Sequence, residues 1–370
     1  MSEPRVHRIA IDCRMWEASG IGTYLQNLAP RVIRRMPATQ FALLGNAPSL
    51  ADLRTDNVSV RPLTAPIYSV QEQWAVPRAV PGGTELLWTP HYNLPLFSPC
   101  PVVVTIHDIL HLAMPELFPG WPKQLYAAVM FRAAMRKAGA ILTVSRFTAE
   151  ELSRLLGRWV ARERIHIVPN GVDESWFDIL SGPRPQEREY LLYVGNVKPH
   201  KNLRRLTEAF ARIKDSMAVD LVIVGEREGF LTGDTELAAA TKHLGDRVHF
   251  TGRVELAELR QYYRHAGALV LPSLYEGFGL TALEAMAAGC PVAVSRAASL
   301  PEVCGDAALY FDPADTEDLA AALRRLIGDK HLRGELTFKG KQRAREFSWE
   351  RAADQTAEVI RNVMQRRDEP

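Results

Sequence analysis

Four cysteines stand in 370 residues, Cys13, Cys100, Cys290 and Cys304, and no two form a CxxC pair. That scarcity argues against a disulfide scaffold and a cysteine-built zinc site, and it fits a reducing compartment. An excess of one charge is also missing. The 45 Lys and Arg against 43 Asp and Glu leave a net charge of +2, too small to mark a nucleic-acid binder by charge alone. No apolar run is long enough to cross a bilayer, and there is no repeat of solenoid period and no low-complexity tract. The opening MSEPRVHRIAIDCRMW runs at once into a strand-like stretch, without the pattern of a signal peptide. The expectation is a cytoplasmic protein that meets a membrane, at most, peripherally.

What is present is a globular balance, 47% hydrophobic and 24% charged, in a chain longer than one core usually supports. Short apolar runs alternate with helical patterns: HRIAIDCR, FALLG, ELLWTP, PVVVTIHD, AILTVS and RIHIVPN. The series begins again with YLLYVGN, VDLVIVGE, RVHFTG, ALVLPS and CPVAVS. Such runs read as buried parallel strands, and two consecutive series predict an α/β protein of two Rossmann-like lobes. Between them, VPNGVDESWFDILSGPRPQEREY carries the Pro and Gly punctuation of a linker. The expected division is residues 1–172, residues 173–347, and a terminal amphipathic helix over residues 348–370 that packs back towards the first lobe.

The stretch YEGFGLTALEAMAAGCPV poses a chemical puzzle. It follows the strand ALVLPS and opens a helix, and Gly277 and Gly279 let a ligand approach the backbone. The N–H groups of Phe278, Gly279, Leu280 and Thr281 then fall at a helix start, where phosphate oxygens bind well. Yet Glu276 and Glu284 flank the same loop. Carboxylates suit pairs of neighbouring hydroxyls. A diphosphate with hydroxyl-bearing rings on both sides is a sugar nucleotide. In that reading Glu284 holds the ribose diol, Glu276 holds the transferred sugar and the helix start holds the diphosphate. Taken singly, each glutamate reads more simply as helix electrostatics or a wet helix face.

At these residues the sequence resembles the retaining glycosyltransferases of family four, which have the GT-B fold. The resemblance rests on YVGNVKPHKNL, FTGRV, LVLPSLYEGFGLTALEAMAAGCPV, SLPEVCGDAALYFDP and FSWE, and on the N-terminal GIGTY, IHD, TVS and VPNGVD. It spans nearly the whole chain and is strongest to bacterial mannosyltransferase-like members that build surface polysaccharides such as lipopolysaccharide. It implies two lobes whose parallel sheets face a central cleft, acceptor on the N-terminal lobe and donor on the C-terminal lobe. It also implies the E-x7-E roles given above. Lys201 matches the family lysine that neutralises the leaving diphosphate. Asn196 stands where the family commonly has arginine, so either Lys198 supplies the second charge or the clamp is weaker. Val254 matches a position whose backbone meets the base. His107 matches the histidine at the sugar.

Other motifs add less. In SGIGTYLQNL, Gly20 and Gly22 open a helix and read as a turn that admits a phosphate or the acceptor, although the dinucleotide fingerprint is incomplete at Leu25. His107 and Asp108 end a strand and are assigned to sugar or acceptor. His91 and His111 lack metal-site spacing. Ser299 and Glu302 form a capping box, a structural reading. Residues 115–137, with Phe118, Trp121, Tyr126, Met130 and Phe131 among Lys123, Arg132, Arg136 and Lys137, combine aromatic and basic groups suited to an anionic membrane. A core helix with a basic wet face is the preferred reading there, because the basic residues are too dispersed.

The expected activity is transfer of a hexose, mannose preferred with GDP-mannose as donor, to a glycan or lipid-linked glycan. The expected catalytic set is His107, Lys201 and Glu276. No DxD motif ends a strand, so neither metal nor cofactor is expected. The alternatives are a nucleotide-sugar epimerase on the same fold, an NAD-dependent oxidoreductase suggested only by SGIG, and a non-catalytic sugar-nucleotide-binding module.

Overall fold

A computed structural model of the chain describes residues 6–117, 120–159, 161–225, 241 and 244–368. Phe118 and the side chains of Trp121 and Lys123, named above for membrane contact, lie outside the described residues. The chain divides into two compact units. The first takes residues Met1–Gly171 together with Ser348–Pro370, and the second takes Val172–Phe347.

The first unit holds a seven-stranded sheet. Its strands are β1 (Arg8–Asp12), β2 (Gln40–Leu44), β3 (Val58–Arg61), β4 (Leu86–Thr89), β5 (Val102–Ile106), β6 (Ala140–Thr143) and β7 (Ile165–Ile167). They lie in the order β3-β2-β1-β4-β5-β6-β7, and every pairing is parallel. Central strands such as VVVTI are buried along their whole length, as helices on both faces of a parallel sheet require. The order reverses between β1 and β4, and at such a switch point loops diverge and leave a crevice beyond the strand ends.

Helices of this unit include α1 (Ile21–Arg35), α2 (Glu72–Ala79), α3 (Leu110–Ala113), α4 (Trp121–Lys137) and α5 (Arg146–Leu156). In α4, Ala127, Phe131, Ala134 and Met135 enter the core beside Val104, Ile106 and Ile141, which suits the core-helix reading. The C-terminal helix, Trp349–Asp368, belongs to this unit and lies along α1. Arg31 Nε donates to Glu350 at 2.8 Å, and Arg35 pairs with Glu350 and Asp354. The Trp349 ring meets Tyr24 edge-on at 6.1 Å.

The second unit repeats the plan with six strands. They are β8 (Glu189–Val194), β9 (Val219–Val224), β10 (Val248–Gly252), β11 (Ala268–Leu271), β12 (Val292–Ser295) and β13 (Ala308–Phe311). Their order is β10-β9-β8-β11-β12-β13, again parallel throughout. The switch point lies between β8 and β11. On one face of the sheet, Leu191, Leu221, Ile223 and Val270 pack with Leu203, Leu206 and Phe210 of α6 (Leu203–Ala211). The sequence runs did not single out β3 and β13. Both are short edge strands, and β3 reads VSVR with only Val58 buried, too little apolar surface to stand out.

Candidate functional site

In the second unit, two of the sequence-predicted segments meet at the switch point. KPHKN follows β8, and SLYEGFG follows β11, the strand paired with it. Lys201 ends a short 3-10 turn, Pro199–Lys201. Its Nζ donates to Glu276 Oε1 at 2.7 Å and Oε2 at 3.0 Å. Asn202 fixes this turn. It sits at φ +55, and its Nδ2 donates to the carbonyls of Pro272 (3.0 Å) and Pro313 (2.9 Å). The His200 carbonyl accepts from Leu274 N–H at 2.7 Å. The two loops are thus joined through backbone as well as through the ion pair.

Ser273 Oγ also donates to Glu276 Oε1, at 2.7 Å. A carboxylate offers about four acceptor positions and an ammonium three donors. Oε1 is filled by Lys201 and Ser273, while Oε2 keeps a position free and Lys201 keeps a proton to donate. Burial alone raises the Glu276 carboxyl. The Lys201 charge and hydrogen bond, the Ser273 hydroxyl and nearby His200 outweigh it and hold the group below its ordinary range.

The helix after this loop, Leu280–Ala288, starts at Gly279, whose φ of +102 favours glycine and whose absent Cβ would meet Leu300 Cδ2 at 2.7 Å. Glycine here is demanded by the backbone and by Leu300 as well as by any ligand. The first intrahelical bonds run from Ala282 and Leu283 to the Gly279 carbonyl, and no side chain caps the start. The N–H groups of Phe278, Gly279, Leu280 and Thr281 therefore remain available as donors. Phe278 turns its own ring inward against Phe347, 5.7 Å edge-on.

Glu284 lies one turn further along this helix. Tyr263 O–H donates to its Oε2 at 3.3 Å. Burial raises the Glu284 carboxyl to about 7, against the opposing pull of Tyr263 and the Arg260 charge. The two acids of this stretch are therefore held differently. Glu276 is paired with Lys201 and kept ionised, whereas burial favours the protonated form of Glu284.

One expectation from sequence is corrected here. Ser299 does not cap the helix Leu300–Cys304, because it adopts helical φ and ψ and makes no side-chain cap. Its hydroxyl reaches the carbonyls of Glu276 and Phe278, each at 2.9 Å. Ser299 is a brace of the EGFG loop, and an S-x-x-E spacing alone could not distinguish the two. Ser273 stands three residues before Glu276, a local signal that was available. Tyr263 reaches the site only through tertiary packing.

The other predicted residues of this unit are less engaged. Lys198 is exposed at the start of the 3-10 turn. The Asn196 carbonyl accepts from Tyr193 O–H at 3.1 Å. Val254 follows edge strand β10, two strands away from β8.

In the first unit, Gly20 caps α1 at φ +69 and faces open space. Gly22 has a structural reason to be glycine. A Cβ there would meet the Trp16 carbonyl at 2.7 Å, so the chain's own loop occupies the space. Moreover, Ile21 N–H donates to Ser19 and Gly22 N–H to Ala18, which uses donors that an anion would need. This helix start contrasts with the open one at Gly279.

His107 and Asp108 follow β5. His107 Nε2 donates to the Pro90 carbonyl at 2.9 Å, and its ring meets Tyr24 edge-on at 4.7 Å. Burial, helped by His91, lowers this imidazole to about 4 despite Pro90 and Asp108. A neutral ring that donates from Nε2 presents Nδ1 as an acceptor. Asp108 Oδ1 accepts from Leu110 N–H at 3.1 Å. His91 is wholly buried, with Nε2 3.1 Å from Asp12 Oδ2.

The family model Glycosyltransferase Family 4 matches residues 18–176, and Glycosyl transferases group 1 matches residues 175–343. The chain is 32% identical to O-antigen chain mannosyltransferase B of Escherichia coli, over 69% of this chain and 68% of that protein. It is 36% identical to the MMP alpha-(1->4)-mannosyltransferase of Mycolicibacterium hassiacum, over 64% of this chain and 57% of that protein. Its fold matches sucrose-phosphate synthase from Thermosynechococcus elongatus with a TM-score of 0.79 at 22% identity, covering 97% of this chain and 99% of that one.

Proposed function

This chain belongs to glycosyltransferase family four, with the GT-B fold, and from that premise we propose that it is a retaining transferase that moves mannose from GDP-mannose to a glycan or lipid-linked glycan. The observation that carries the donor part is the open helix start at Phe278–Thr281 between two acids, one held ionised by Lys201 and one whose charge burial disfavours. In this reading the diphosphate takes the free N–H groups and the remaining proton of Lys201. The Glu276 Oε2 position left open takes a hydroxyl of the transferred sugar, and Glu284 takes the ribose diol. Lys198 stands in for the arginine replaced by Asn196. The two mannosyltransferase relatives support mannose, and their different names leave the acceptor to be chosen by this chain.

Chemistry in this reading needs positioning and leaving-group stabilisation rather than an enzymic nucleophile. As the sugar–phosphate bond lengthens, negative charge grows on the phosphate, where Lys201 and the helix start are already oriented. The departing phosphate oxygen accepts the acceptor's proton on the same face of the sugar. His107, a neutral acceptor at Nδ1, suits a sugar hydroxyl in the acceptor-binding unit. No described helix is long and apolar enough to cross a membrane, and a lipid-linked acceptor would be met by peripheral contact.

The test is thermal stabilisation by GDP, UDP and ADP, followed by NMR of fresh product from GDP-mannose. Stabilisation by GDP and an axial product anomer match the reading. Stabilisation by UDP alone removes GDP-mannose from it, and an inverted product removes retention.

A further inference from the structure

The first unit carries a feature that the donor chemistry leaves unused. In the loop between β3 and α2, the stretch from Ala65 to Glu72 is held at both ends by one buried guanidinium. Arg14 Nη1 donates to the Ala65 carbonyl at 3.1 Å and Nη2 to Glu72 Oε2 at 3.0 Å. Arg14 is itself fixed by Asp12, through Nε at 2.9 Å and Nη2 at 2.6 Å. The side chains of Asp12, Arg14 and Glu72 are all at most 4% exposed. Glu72 Oε1 in turn accepts from Asn93 Nδ2 (2.6 Å) and Tyr126 O–H (2.8 Å). Burying so many charged groups is costly unless they are fully paired, so this clamp fixes the loop between its two ends firmly.

What the clamp displays is Tyr68. This residue sits at φ +61, a region that a bulky side chain rarely occupies, and it is 43% exposed. Its ring stacks on Tyr92, with centroids 5.3 Å apart and planes at 26°, and Tyr92 stacks on Phe131 at 4.1 Å. One face of Tyr68 is therefore backed by a rigid aromatic column that reaches the core. The Tyr68 hydroxyl takes no partner among the described residues. Backbone strain held by a buried clamp, for a ring left half in water, is a poor arrangement for stability and a good one for presenting a surface. The neighbours are polar in a specific way. Burial, helped by the charges of Asp108 and Glu72, pushes the Tyr68 phenol up to about 12. Asp108 uses Oδ1 for Leu110 N–H and keeps Oδ2 free of any described partner.

We propose that Tyr68 is a stacking platform for a pyranose ring of the acceptor glycan. A pyranose offers a face of C–H groups with partial positive charge, which fits the negative face of an aromatic ring. This inference rests on the reading that the first unit takes a glycan acceptor.

The test uses the full chain as wild type, Tyr68→Phe and Tyr68→Gly. Glycine accepts φ +61 without strain, so the second variant removes the ring and spares the backbone. Saturation-transfer NMR is recorded in saturating GDP and UDP with methyl α-mannopyranoside, methyl α-glucopyranoside and methyl β-galactopyranoside. At least one glycoside should receive saturation from the wild type. Tyr68→Phe should keep that signal, and Tyr68→Gly should lose about fivefold or more in affinity, the scale of one aromatic contact. Nucleotide affinity by calorimetry should be equal in all three. Equal glycoside binding by wild type and Tyr68→Gly overturns the proposal, as does no glycoside binding to the wild type. Loss in Tyr68→Phe equal to that in Tyr68→Gly overturns stacking, since the hydroxyl would then be the contact. A parallel fall in nucleotide affinity in Tyr68→Gly also overturns it, because the residue would then support the fold. Absence of nucleotide binding in the wild type is a separate failure, that of the donor reading.

Discussion

The Lys201 ammonium spans both oxygens of the Glu276 carboxylate, at 2.7 and 3.0 Å, although 75 residues separate the two in sequence. Each group supplies what the other lacks. Glu276 is kept ionised in a buried place, and Lys201 is held against the loop rather than left free in solvent. The two are best treated as one functional unit.

Lys201→Ala should lower kcat/KM by about 10²–10³, the effect of losing one oriented donor of about 2–4 kcal/mol. Since the same change strands Glu276, a Lys201→Ala/Glu276→Ala double variant should cost little more than the worse single variant. Additive losses in steady-state kinetics would mean that the pair does not act as a unit. Lys198→Ala in the same assay measures whether this neighbour carries the charge missing at Asn196.

The two glutamates should separate by ligand. Glu284→Ala should weaken nucleoside diphosphate and intact donor alike, about tenfold or more, as expected for hydrogen bonds to a charged group. Glu276→Ala should leave nucleoside diphosphate binding near wild type and reduce transfer. Calorimetry and transfer kinetics on both variants decide it. If both bind nucleotide as the wild type does, the acids are only helix electrostatics.

Burial that raises Glu284 to about 7 makes nucleotide binding pH-dependent. The ionised carboxylate accepts two hydroxyls and the protonated one fewer, so affinity should rise from pH 6 to pH 8, by up to about tenfold. Glu284→Gln should remove that increment, and phosphate titration, common to both proteins, cancels in the comparison. The free protein should behave in the opposite sense. Its folded state holds this proton more tightly than the unfolded chain, whose value is near 4.5. Glu284 therefore contributes stability below that value, and the contribution is lost as pH rises through about 7. Denaturation midpoints at pH 5 and 8, wild type against Glu284→Gln, measure this.

His107→Ala should impair transfer while nucleoside diphosphate binding stays near wild type. Burial that lowers His107 to about 4 keeps the ring neutral from pH 5.5 upward, so the pH–rate profile there should show no inflection from it. Equal loss of nucleotide affinity and transfer would indicate a folding defect instead.

Periodicity made the parallel strands legible, because strands such as ALVL are buried on both faces and carry unbroken apolar runs. Glu276 and Glu284 were legible because strand end, glycine turn and helix are contiguous in sequence. What was not legible has a common cause. Ser299 finds its partners 23 and 21 residues away, and Gly22 is glycine because of the Trp16 carbonyl. Asp12 meets His91 across 79 residues, and Arg14 reaches Glu72 across 58. Contacts made by tertiary folding leave no local spacing to read.

The first unit is closed by a helix that lies at the other end of the chain. During synthesis, the second unit, residues 172–347, emerges as one continuous segment and has its full sequence before the first unit does. Until residues 349–368 arrive, Arg31 and Arg35 lack Glu350 and Asp354, partners 315 to 319 positions downstream, and the side of α1 that receives the helix stays wet. A nascent chain is therefore vulnerable to aggregation at its oldest segment, and a stop codon near residue 348 should spare the second unit and destabilise the first. Of the two units, the one whose synthesis starts first is the one completed last.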